Sequence, residues 1–486
     1  MRRRSQVIAD RKAEQAAQKA ARKLRIAEQQ TQARRERAGG RWQGGPGPLT
    51  GRPRSEPGIP APYPATGGYS CDLPVTDGQT LPIFIGSVCS GMMTEHWACE
   101  KLPRVIKKAF WCEQEVDARQ FIQDNIEPGV PSWRDVMTEE FLTGAPPCDI
   151  LLAGFPCQPF SIMGKGEGEN DSANRGVVVW WILRYVAKRL PKIVLLENVA
   201  GLVFRHRHVL DNVVAILESL GYVVSWRMLD TNKHGAIPAR RKRVFIVAIR
   251  SGMPAWTSLQ ADCQPQAVIL PQAEPQAAGR PAAISWPQPV PCPGLDIIFD
   301  DTPKVVDYNN YPMPPRLCLT RRKNLLEALR RIKQVAMREN ADPAEYRVVA
   351  DLAGSKVLLG WDVAPCLTKT AGERHSFFSI QHGRFLSVRE LCRLQGLNAD
   401  SMKINISARG MGKLLGNGFT SAVIERVMAA AICAAEDCPA TGGNLPPATG
   451  GGGLRLGYDT HPSQASRHLC HHEYFPPGEL WCVIEG

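Results

Sequence analysis

Short apolar segments alternate with amphipathic segments between residues 81 and 250, and this alternation is the clearest structural pattern in the chain. Runs such as Ile150–Ala153 are apolar throughout, which is typical of strands buried on both faces of a parallel sheet. The predicted strands are 83–88, 109–112, 150–153, 193–196, 223–229 and 244–249. Helical spacing follows most of them, most clearly over 176–189 and 208–220. The pattern predicts an α/β fold with a doubly wound, mostly parallel sheet.

The alternation weakens from residue 251 to about 375, where Pro and Gln dominate the first part. One helix is predicted there over 319–338, because Leu325, Leu329 and Ile332 recur on one face. Helical spacing returns over 388–395 and 421–434. The predicted organisation is a basic, helical or disordered arm (1–40), a Gly/Pro-rich linker (41–80), the main α/β domain (81–250), an irregular region (251–375), a return to the main domain (376–436) and an irregular tail (437–486).

Most of the formal charge of +12 lies in the first 43 residues, where thirteen Lys/Arg stand against four Asp/Glu and give +9. Such an arm binds nucleic acid non-specifically or serves as a nuclear address; a solvated, partly helical tail is the alternative. Fifteen scattered cysteines without a C-x-x-C pair predict reduced thiols in an intracellular protein. We predict no metal site, although His468, Cys470 and His471 in the tail leave one open, and no membrane span.

One cysteine is placed as a nucleophile would be. Cys157 lies in Gly-Phe-Pro-Cys-Gln-Pro-Phe-Ser (154–161), directly after the apolar run 150–153. Pro156 and Pro159 fix φ and remove N–H donors, so the segment cannot continue the strand or begin a regular helix. The result is a stiff loop that exposes the sulfur at the carboxyl end of a strand, where open α/β sheets bind ligands. A buried structural cysteine is the alternative.

Three further groups stand at the ends of predicted strands. Glu197 closes the strand 193–196, and a carboxylate in a tight cleft there can hold or donate a proton. Glu113 ends the second strand, where a dinucleotide-binding fold places the acid that binds ribose hydroxyls; Glu115 competes for this role. The turn 87–91, Ser-Val-Cys-Ser-Gly, lets the backbone approach a ligand closely.

These segments resemble the motifs of the C5-cytosine DNA methyltransferases, in the family's order, over about residues 83–433. The matching segments are Pro156-Cys157-Gln158, Asn174-Arg175-Gly176, Glu197-Asn198-Val199, Ala239-Arg240-Arg241-Lys242-Arg243 (Gln-x-Arg-x-Arg in the family), 384–390 with Arg393-Leu394-Gln395-Gly396, and Gly416-Asn417. Any one could occur by chance, whereas six in register are specific. The resemblance implies the Rossmann-like sheet of class I methyltransferases, with residues 251–375 as a smaller, irregular target-recognition domain.

The resemblance further implies a DNA (cytosine-5)-methyltransferase that uses S-adenosylmethionine on a cytosine flipped out of double-stranded DNA. Cys157 would add to C6 of the ring, Glu197 would hold its N3/N4 edge, Arg243 would contact the ring or its phosphate, and Arg241 would order the catalytic loop. We expect the nearby guanidinium groups to increase the ionised fraction of Cys157. The implied cofactor residues are Cys89, Ser90, Gly91, Glu113, Asp135 and Asn417. The implied substrate-binding residues are Gln158, Ser161 and Asn198.

Four positions depart from the family pattern: Cys89 replaces an aromatic residue, Met93 and Thr94 replace glycines, and Ala239 replaces the glutamine that orders the catalytic loop. One alternative is therefore a DNA-binding or scaffold protein without catalysis. Another is a tRNA cytosine-5 methyltransferase, a branch with a Cys-Phe-Thr segment that 366–368, Cys-Leu-Thr, echoes. We expect a monomer, located in the nucleus if the source is eukaryotic and in the cytoplasm or nucleoid if it is prokaryotic.

Overall fold

The computed structural model describes residues 81–161, 166–250, 284–305 and 307–436. The predicted arm, linker and tail lie outside these residues. A seven-stranded sheet forms the centre, in the order β3-β2-β1-β4-β5-β7-β6. Its strands are β1 (Ile83–Val88), β2 (Ile106–Cys112), β3 (Ser132–Trp133), β4 (Ile150–Ala153), β5 (Ile193–Val199), β6 (Tyr222–Asp230) and β7 (Lys242–Arg250). Only β7 runs antiparallel to its neighbours in this sheet, so the predicted mostly parallel α/β sheet is confirmed.

The described residues form twelve α-helices, and several of them cover the two faces of this sheet. They are α1 (Thr94–Cys99), α2 (Val116–Asn125), α3 (Glu139–Gly144), α4 (Val178–Arg189), α5 (Gly201–Phe204), α6 (Arg207–Ser219), α7 (Thr231–His234), α8 (Leu319–Glu339), α9 (Lys369–Glu373), α10 (Val388–Arg393), α11 (Ala408–Asn417) and α12 (Ser421–Glu436). Helices α3, α4 and α6 bury their apolar residues against one face, around Phe110, Phe141 and Tyr185. Helices α1 and α12 bury theirs against the other face, around Ile85 and Ile424. The sheet is therefore buried on both sides, as continuous apolar strands require.

The region after residue 284 is more regular than predicted. Helix α8 packs on a four-stranded antiparallel sheet in the order β11-β10-β8-β9. Its strands are β8 (Val348–Asp351), β9 (Leu358–Trp361), β10 (Phe377–Ser379) and β11 (Arg384–Phe385). This second sheet continues to Phe385, beyond the boundary expected at residue 375. The helix predicted over 319–338 is confirmed, and its residues Leu325, Leu329 and Ile332 are buried.

Within the described residues, one helical stretch is long and apolar enough to cross a membrane, Ala408–Glu436, which the sequence pattern did not single out. It comprises α11 and α12, and 72% of its most apolar window is buried inside the protein. Packing of α12 against the central sheet accounts for that apolar composition.

Candidate active site

The strand order places Cys157 and Glu197 side by side. Strands β4 and β5 are parallel neighbours and pair up to Ala153 opposite Leu196, so the next residue of β5 is Glu197, and β4 leads into residue 154. Cys157 follows three residues later, half-buried, and begins a tight turn in which the Phe160 N–H donates to its carbonyl at 3.1 Å. The loop lies at the end of a strand as predicted, but the expectation of an exposed sulfur was wrong, because Cys157 is half-buried and desolvation dominates the pKa of its thiol. We call residues 154–161 and 166–177 the cysteine loop.

Two residues hold the base of the cysteine loop. The side chain of Asn198, predicted to bind substrate, is buried under the loop and donates from Nδ2 to the carbonyl of Phe155 at 3.1 Å. At Gly154 a Cβ would lie 2.8 Å from the ring of Phe419 and 3.7 Å from Oε2 of Glu197. Glycine is therefore favoured where the loop leaves β4, because the ring of Phe419 occupies the space of a side chain, while the Glu197 carboxylate lies at ordinary contact distance.

An ion pair links Glu197 to Arg243. Strands β5 and β7 pair with Glu197 opposite Phe245 and Val199 opposite Arg243, so the two charged residues are diagonal neighbours on one face. Arg243 Nε lies 3.1 Å from Glu197 Oε1, and both side chains are largely buried. The guanidinium also forms a side-chain hydrogen bond with Cys366. The other carboxylate oxygen of Glu197 faces the start of the cysteine loop.

Burial dominates the protonation of this group of residues. It raises the pKa of the Cys157 thiol; Arg243 and Arg241 lower that pKa, and Glu197 raises it. Burial likewise raises the pKa of Glu197, and the same two guanidinium groups oppose it. The expected effect of the arginines is therefore present, but the prediction that they leave Cys157 more ionised than a free thiol was wrong, because desolvation outweighs them.

Arg241 binds backbone carbonyls through both terminal nitrogens, while its buried Nε has no hydrogen-bond partner among the described residues. Its guanidinium donates to the carbonyl oxygens of Leu367 at 2.9 Å, Gly416 at 3.3 Å and Gly418 at 2.6 Å. Burial lowers its pKa to about 10. Its side-chain hydrogen bonds fasten residues 367 and 416–418 to the segment before β7, and its influence on Cys157 is electrostatic. The role of Arg241 in ordering the catalytic loop stays a prediction.

A short parallel bridge adds to this fastening. Ala239 pairs with Ala364, whose N–H donates to Pro238 and whose carbonyl accepts from the N–H of Arg240. The backbone of this segment, and not the missing glutamine side chain of the family pattern, makes the connection at position 239. The bridge carries Cys366 to the guanidinium of Arg243, while Thr368 caps helix α9 by accepting from Ala371 N–H.

The turn after β1 meets Glu113 as predicted for a cofactor site. Cys89 and Gly91 adopt left-handed backbone conformations, with φ of 52° and 55°. The Gly91 N–H donates to Glu113 Oε2 at 2.7 Å, and Ser90 is hydrogen-bonded to the Cys112 carbonyl. Burial raises the pKa of Glu113, and the N–H groups that it accepts from lower it. Small residues in a left-handed turn beside a partly buried acid suit a ligand with hydroxyl groups.

The two remaining predicted cofactor residues, Asp135 and Asn417, differ in their surroundings. Asp135 and Glu113 both act on the Cys89 thiol, whose pKa burial raises strongly, and Asp135 also accepts from the Met137 N–H at 2.9 Å. Asn417 is exposed at the end of α11, beside the carbonyls that Arg241 binds. Glu115 pairs with Lys413 at 2.6 Å, which leaves Glu113 as the acid at the turn.

Met93 and Thr94 fill the space that glycines leave in the family pattern. Met93 has a left-handed φ of 52° and is fully buried beside Trp111, Ile122 and Ile126. Thr94 is buried as well, and a Cβ on Gly418 would lie 3.1 Å from its hydroxyl oxygen. The first motif is therefore degraded in sequence but occupied by well-packed side chains.

The outer part of the cysteine loop has its own ion pair. Gln158 and Ser161 are half-buried near Cys157, and residues 162–165 lie outside the described chain. Asp171 accepts from the side chain and backbone of Arg175, and these bonds hold the pKa of its carboxyl at about 2. The segment 174–176 thus owes its position to Asp171, a residue that the sequence reasoning missed.

The segment 384–390 is also held by an ion pair. Arg384 makes a bidentate contact with Glu390, at 2.8 and 2.7 Å, and Glu390 also completes a capping box with Ser387 at the start of α10. Within the described residues no group of three or more His, Cys, Asp or Glu side chains could hold a metal ion.

A family model and several known proteins match this chain. Residues 112–433 match the model of the family described as C-5 cytosine-specific DNA methylase. The Type II methyltransferase M.NlaIV of Neisseria lactamica is 37% identical over 166 residues, which cover 32% of this chain and 38% of that relative. M.NgoBI of Neisseria gonorrhoeae is 28% identical over 281 residues, 58% of this chain and 73% of that relative.

A third relative matches over a shorter segment, and one solved structure matches over most of its length at low identity. M.BanI of Aneurinibacillus aneurinilyticus is 41% identical over 117 residues, 24% of this chain and 27% of its own length. The chain thus spans well under half the length of M.NlaIV and M.BanI. The structure of the Entamoeba histolytica methyltransferase EhMeth covers 72% of this chain and 98% of its own, with a TM-score of 0.45 and 13% identity.

Proposed function

This chain belongs to the C-5 cytosine-specific DNA methylase family, and we propose that it is a DNA (cytosine-5)-methyltransferase that uses S-adenosylmethionine. The observation that carries the proposal is the grouping of Cys157, Glu197 and Arg243 at the ends of three adjacent strands. The relatives are named Type II methyltransferases, which supports methylation within a defined DNA sequence.

Cys157 supplies the nucleophile. Its thiolate forms a bond to C6 of cytosine, and the electron pair of the C5–C6 double bond moves to C5, which then accepts the methyl group. Loss of the C5 proton and cleavage of the sulfur–C6 bond restore the double bond and release the thiolate. The rigid turn around Cys157 holds the sulfur at the sheet edge and so reduces the entropy lost on attack. Gln158 and Ser161 lie close to Cys157 in the chain and would contact the target nucleotide.

Glu197 and Arg243 act on the ring that Cys157 attacks. The buried carboxyl of Glu197 has a raised pKa, so it can hold a proton at the N3 edge of cytosine as negative charge develops there. Arg243 orients this carboxyl through Oε1 and leaves Oε2 towards the cysteine loop. Its guanidinium also opposes the rise in the pKa of Cys157, which favours the thiolate.

The turn around Gly91 fits S-adenosylmethionine. When bound, this cofactor supplies an electrophilic methyl group. Glu113 would hold its ribose hydroxyls, Asp135 would lie near its adenine, Cys89, Ser90 and Gly91 would line its methionine portion, and Asn417 would close the pocket. The fit rests on the left-handed turn and on the acid that its N–H binds at 2.7 Å.

Transfer of a labelled methyl group tests the proposal. The wild-type protein should label DNA, Cys157→Ser should not, and Cys292→Ser, which changes an exposed thiol, should behave as wild type. DNA containing 5-fluorocytosine should trap a covalent adduct with the wild type and the Cys292 variant only. Label on tRNA alone would replace DNA by RNA as the substrate, and label on neither would leave the scaffold alternative.

A further inference from the structure

A row of aromatic rings runs from the cysteine loop to α6. Phe155 and Phe160 flank Cys157 and meet edge to face, with ring centroids 5.9 Å apart. Phe160 meets the ring of His206 at 5.4 Å, and His206 lies 6.2 Å from His208. Phe155, Phe160 and His206 are buried. The imidazole of His206 thus packs against Phe160, which in turn packs against Phe155.

The second half of the cysteine loop closes over the same imidazole. Gly168 has a φ of +57°, and a Cβ there would lie 2.8 Å from Nδ1 of His206. A Cβ on Gly176 would lie 2.1 Å from the carbonyl oxygen of Gly168. Gly168 thus lets the backbone approach the ring, and Gly176 lets the following turn pack on Gly168. Phe160 from the first half of the loop and Gly168 from the second half therefore share His206 as a contact residue.

The polar surroundings of His206 favour its neutral form. Its Nε2 is buried and, among the described residues, has no hydrogen-bond partner. Burial lowers its pKa, His208 and Arg205 lower it further, and Glu169 of the cysteine loop opposes them. Glu169 is itself engaged, since Oε1 accepts from Trp180 and Oε2 lies 3.5 Å from His208 Nε2. A proton on His206 would therefore be a buried charge beside Arg205.

We propose that His206 is a positioning residue for methyl transfer: its neutral ring seats Phe160 and Gly168 and thereby holds the cysteine loop in place around Cys157. Protonation of the ring releases the loop from α6. The inference rests on the proposed function only in assigning Cys157 as the nucleophile; the docking of the loop is a property of the protein without substrate.

The direction of the pH dependence follows from the shift in pKa. In the docked loop the ring stays neutral to lower pH than in an open loop, where a histidine has its ordinary pKa of 6.5. Docking is therefore fully stable above that value and weakens as the pH falls through it. The docking equilibrium changes by at most about tenfold per pH unit over this range.

The test compares wild type with His206→Phe, which keeps an aromatic ring but cannot take up a proton. His375→Asn is the matched control, because it removes a histidine near α9 from a backbone position with φ of 47°, which asparagine tolerates. Amide hydrogen exchange of residues 155–161 and 166–177 is measured at pH 7.5 and pH 5.5 without substrate. Methyl-transfer kcat and KM for DNA are measured over the same range.

At pH 7.5 we expect the three proteins to have similar loop protection and kcat values within about threefold. At pH 5.5 wild type and His375→Asn should exchange faster in the loop, by up to about tenfold, whereas His206→Phe should keep its protection. Protonation of Cys157 should lower kcat in all three proteins, and release of the loop should lower it by up to about a further tenfold in wild type and His375→Asn only. If His206→Phe fails to fold by circular dichroism, His206→Gln serves instead.

Two results separate the inference from the proposed function. Loop exchange with the same pH dependence in His206→Phe and wild type overturns the role of His206, whatever the activity. Absence of methyl transfer by wild type at every pH, combined with the expected exchange pattern, overturns the proposed function and leaves the docking role of His206 intact.

Discussion

The site around Cys157 and the turn around Gly91 lie at the ends of strands in the same sheet, yet different interactions hold them. At the Cys157 site, strand register brings Glu197 and Arg243 together, and each of the two has a buried partner. At the turn, non-glycine residues adopt left-handed conformations, and Met93 is held there by apolar packing. The comparison teaches that a specific ion pair fixes the geometry of the Cys157 site. Apolar packing is enough to hold the turn, even with Met93 where the family pattern has glycine.

The sharpest test of the comparison replaces one acid in each region. Glu197→Gln should lower kcat by about 10²–10⁴-fold, because a positioned acid is lost. Glu113→Gln should instead raise KM for S-adenosylmethionine with a smaller effect on kcat, since its contacts are with the turn. Steady-state kinetics of both variants check this, with Glu115→Gln as the control. Equal losses of kcat in the Glu113 and Glu197 variants would abolish the distinction.

Removal of the Arg241 guanidinium tests how much its hydrogen bonds to residues 367 and 416–418 stabilise the protein. Arg241→Ala leaves the carbonyls of Leu367, Gly416 and Gly418 without their donor, so the free energy of unfolding should fall by about 2–4 kcal/mol. Denaturant unfolding measures the change. Arg240→Ala is the control, because Arg240 is exposed and its contact to Ala364 is made by the backbone. Similar stabilities of the two variants would contradict the fastening role.

Met93→Gly tests whether packing or backbone conformation dominates at the turn. Glycine relieves a left-handed strain of about 1–2 kcal/mol, but the variant loses a fully buried side chain worth about 2–5 kcal/mol. We expect a net loss of about 1–3 kcal/mol in thermal or denaturant unfolding. A stabilised variant would show that the turn is strained and not compensated by packing.

The protonation of Cys157 offers the most graded test. Because burial raises the pKa of its thiol, the thiolate fraction and the rate of adduct formation should rise by about tenfold per pH unit above neutrality until that pKa is reached. Arg243→Gln removes a charge that lowers the pKa, so its rate profile should move to higher pH. Adduct formation with 5-fluorocytosine DNA between pH 7 and 9.5 gives both curves. A flat wild-type profile would show that the thiol is already ionised.

The main sheet was predictable because its strands carry their signal locally. Strands β1 and β4 match the prediction residue for residue, whereas β5 continues three residues further, because pairing with β7 holds Glu197–Val199 in the ladder. The second sheet was missed, since strands of two to four residues, such as β10 and β11, are too short to show a period.

The candidate site divides in the same way. Cys157 and Glu197 follow apolar runs and were found from the sequence, as were the paired arginines. The contacts of Arg241 join residues 126 to 177 positions apart, and nothing near Arg241 in the sequence indicates them. His206 was missed for the same reason, because its partner Phe160 belongs to a distant motif.

The parallel bridge between Ala239 and Ala364 has a consequence for exchanging domains between relatives. Residues 364–368 lie in the sequence between strands β9 and β10 of the small sheet. Their backbone and Cys366 nevertheless contact Pro238, Arg241 and Arg243, which belong to the main domain. A chimaera that imports a foreign small sheet should therefore keep 364–368 from the host. If residues 364–368 came from the foreign protein, their contacts with Pro238, Arg241 and Arg243 would be mismatched beside Cys157 and Glu197.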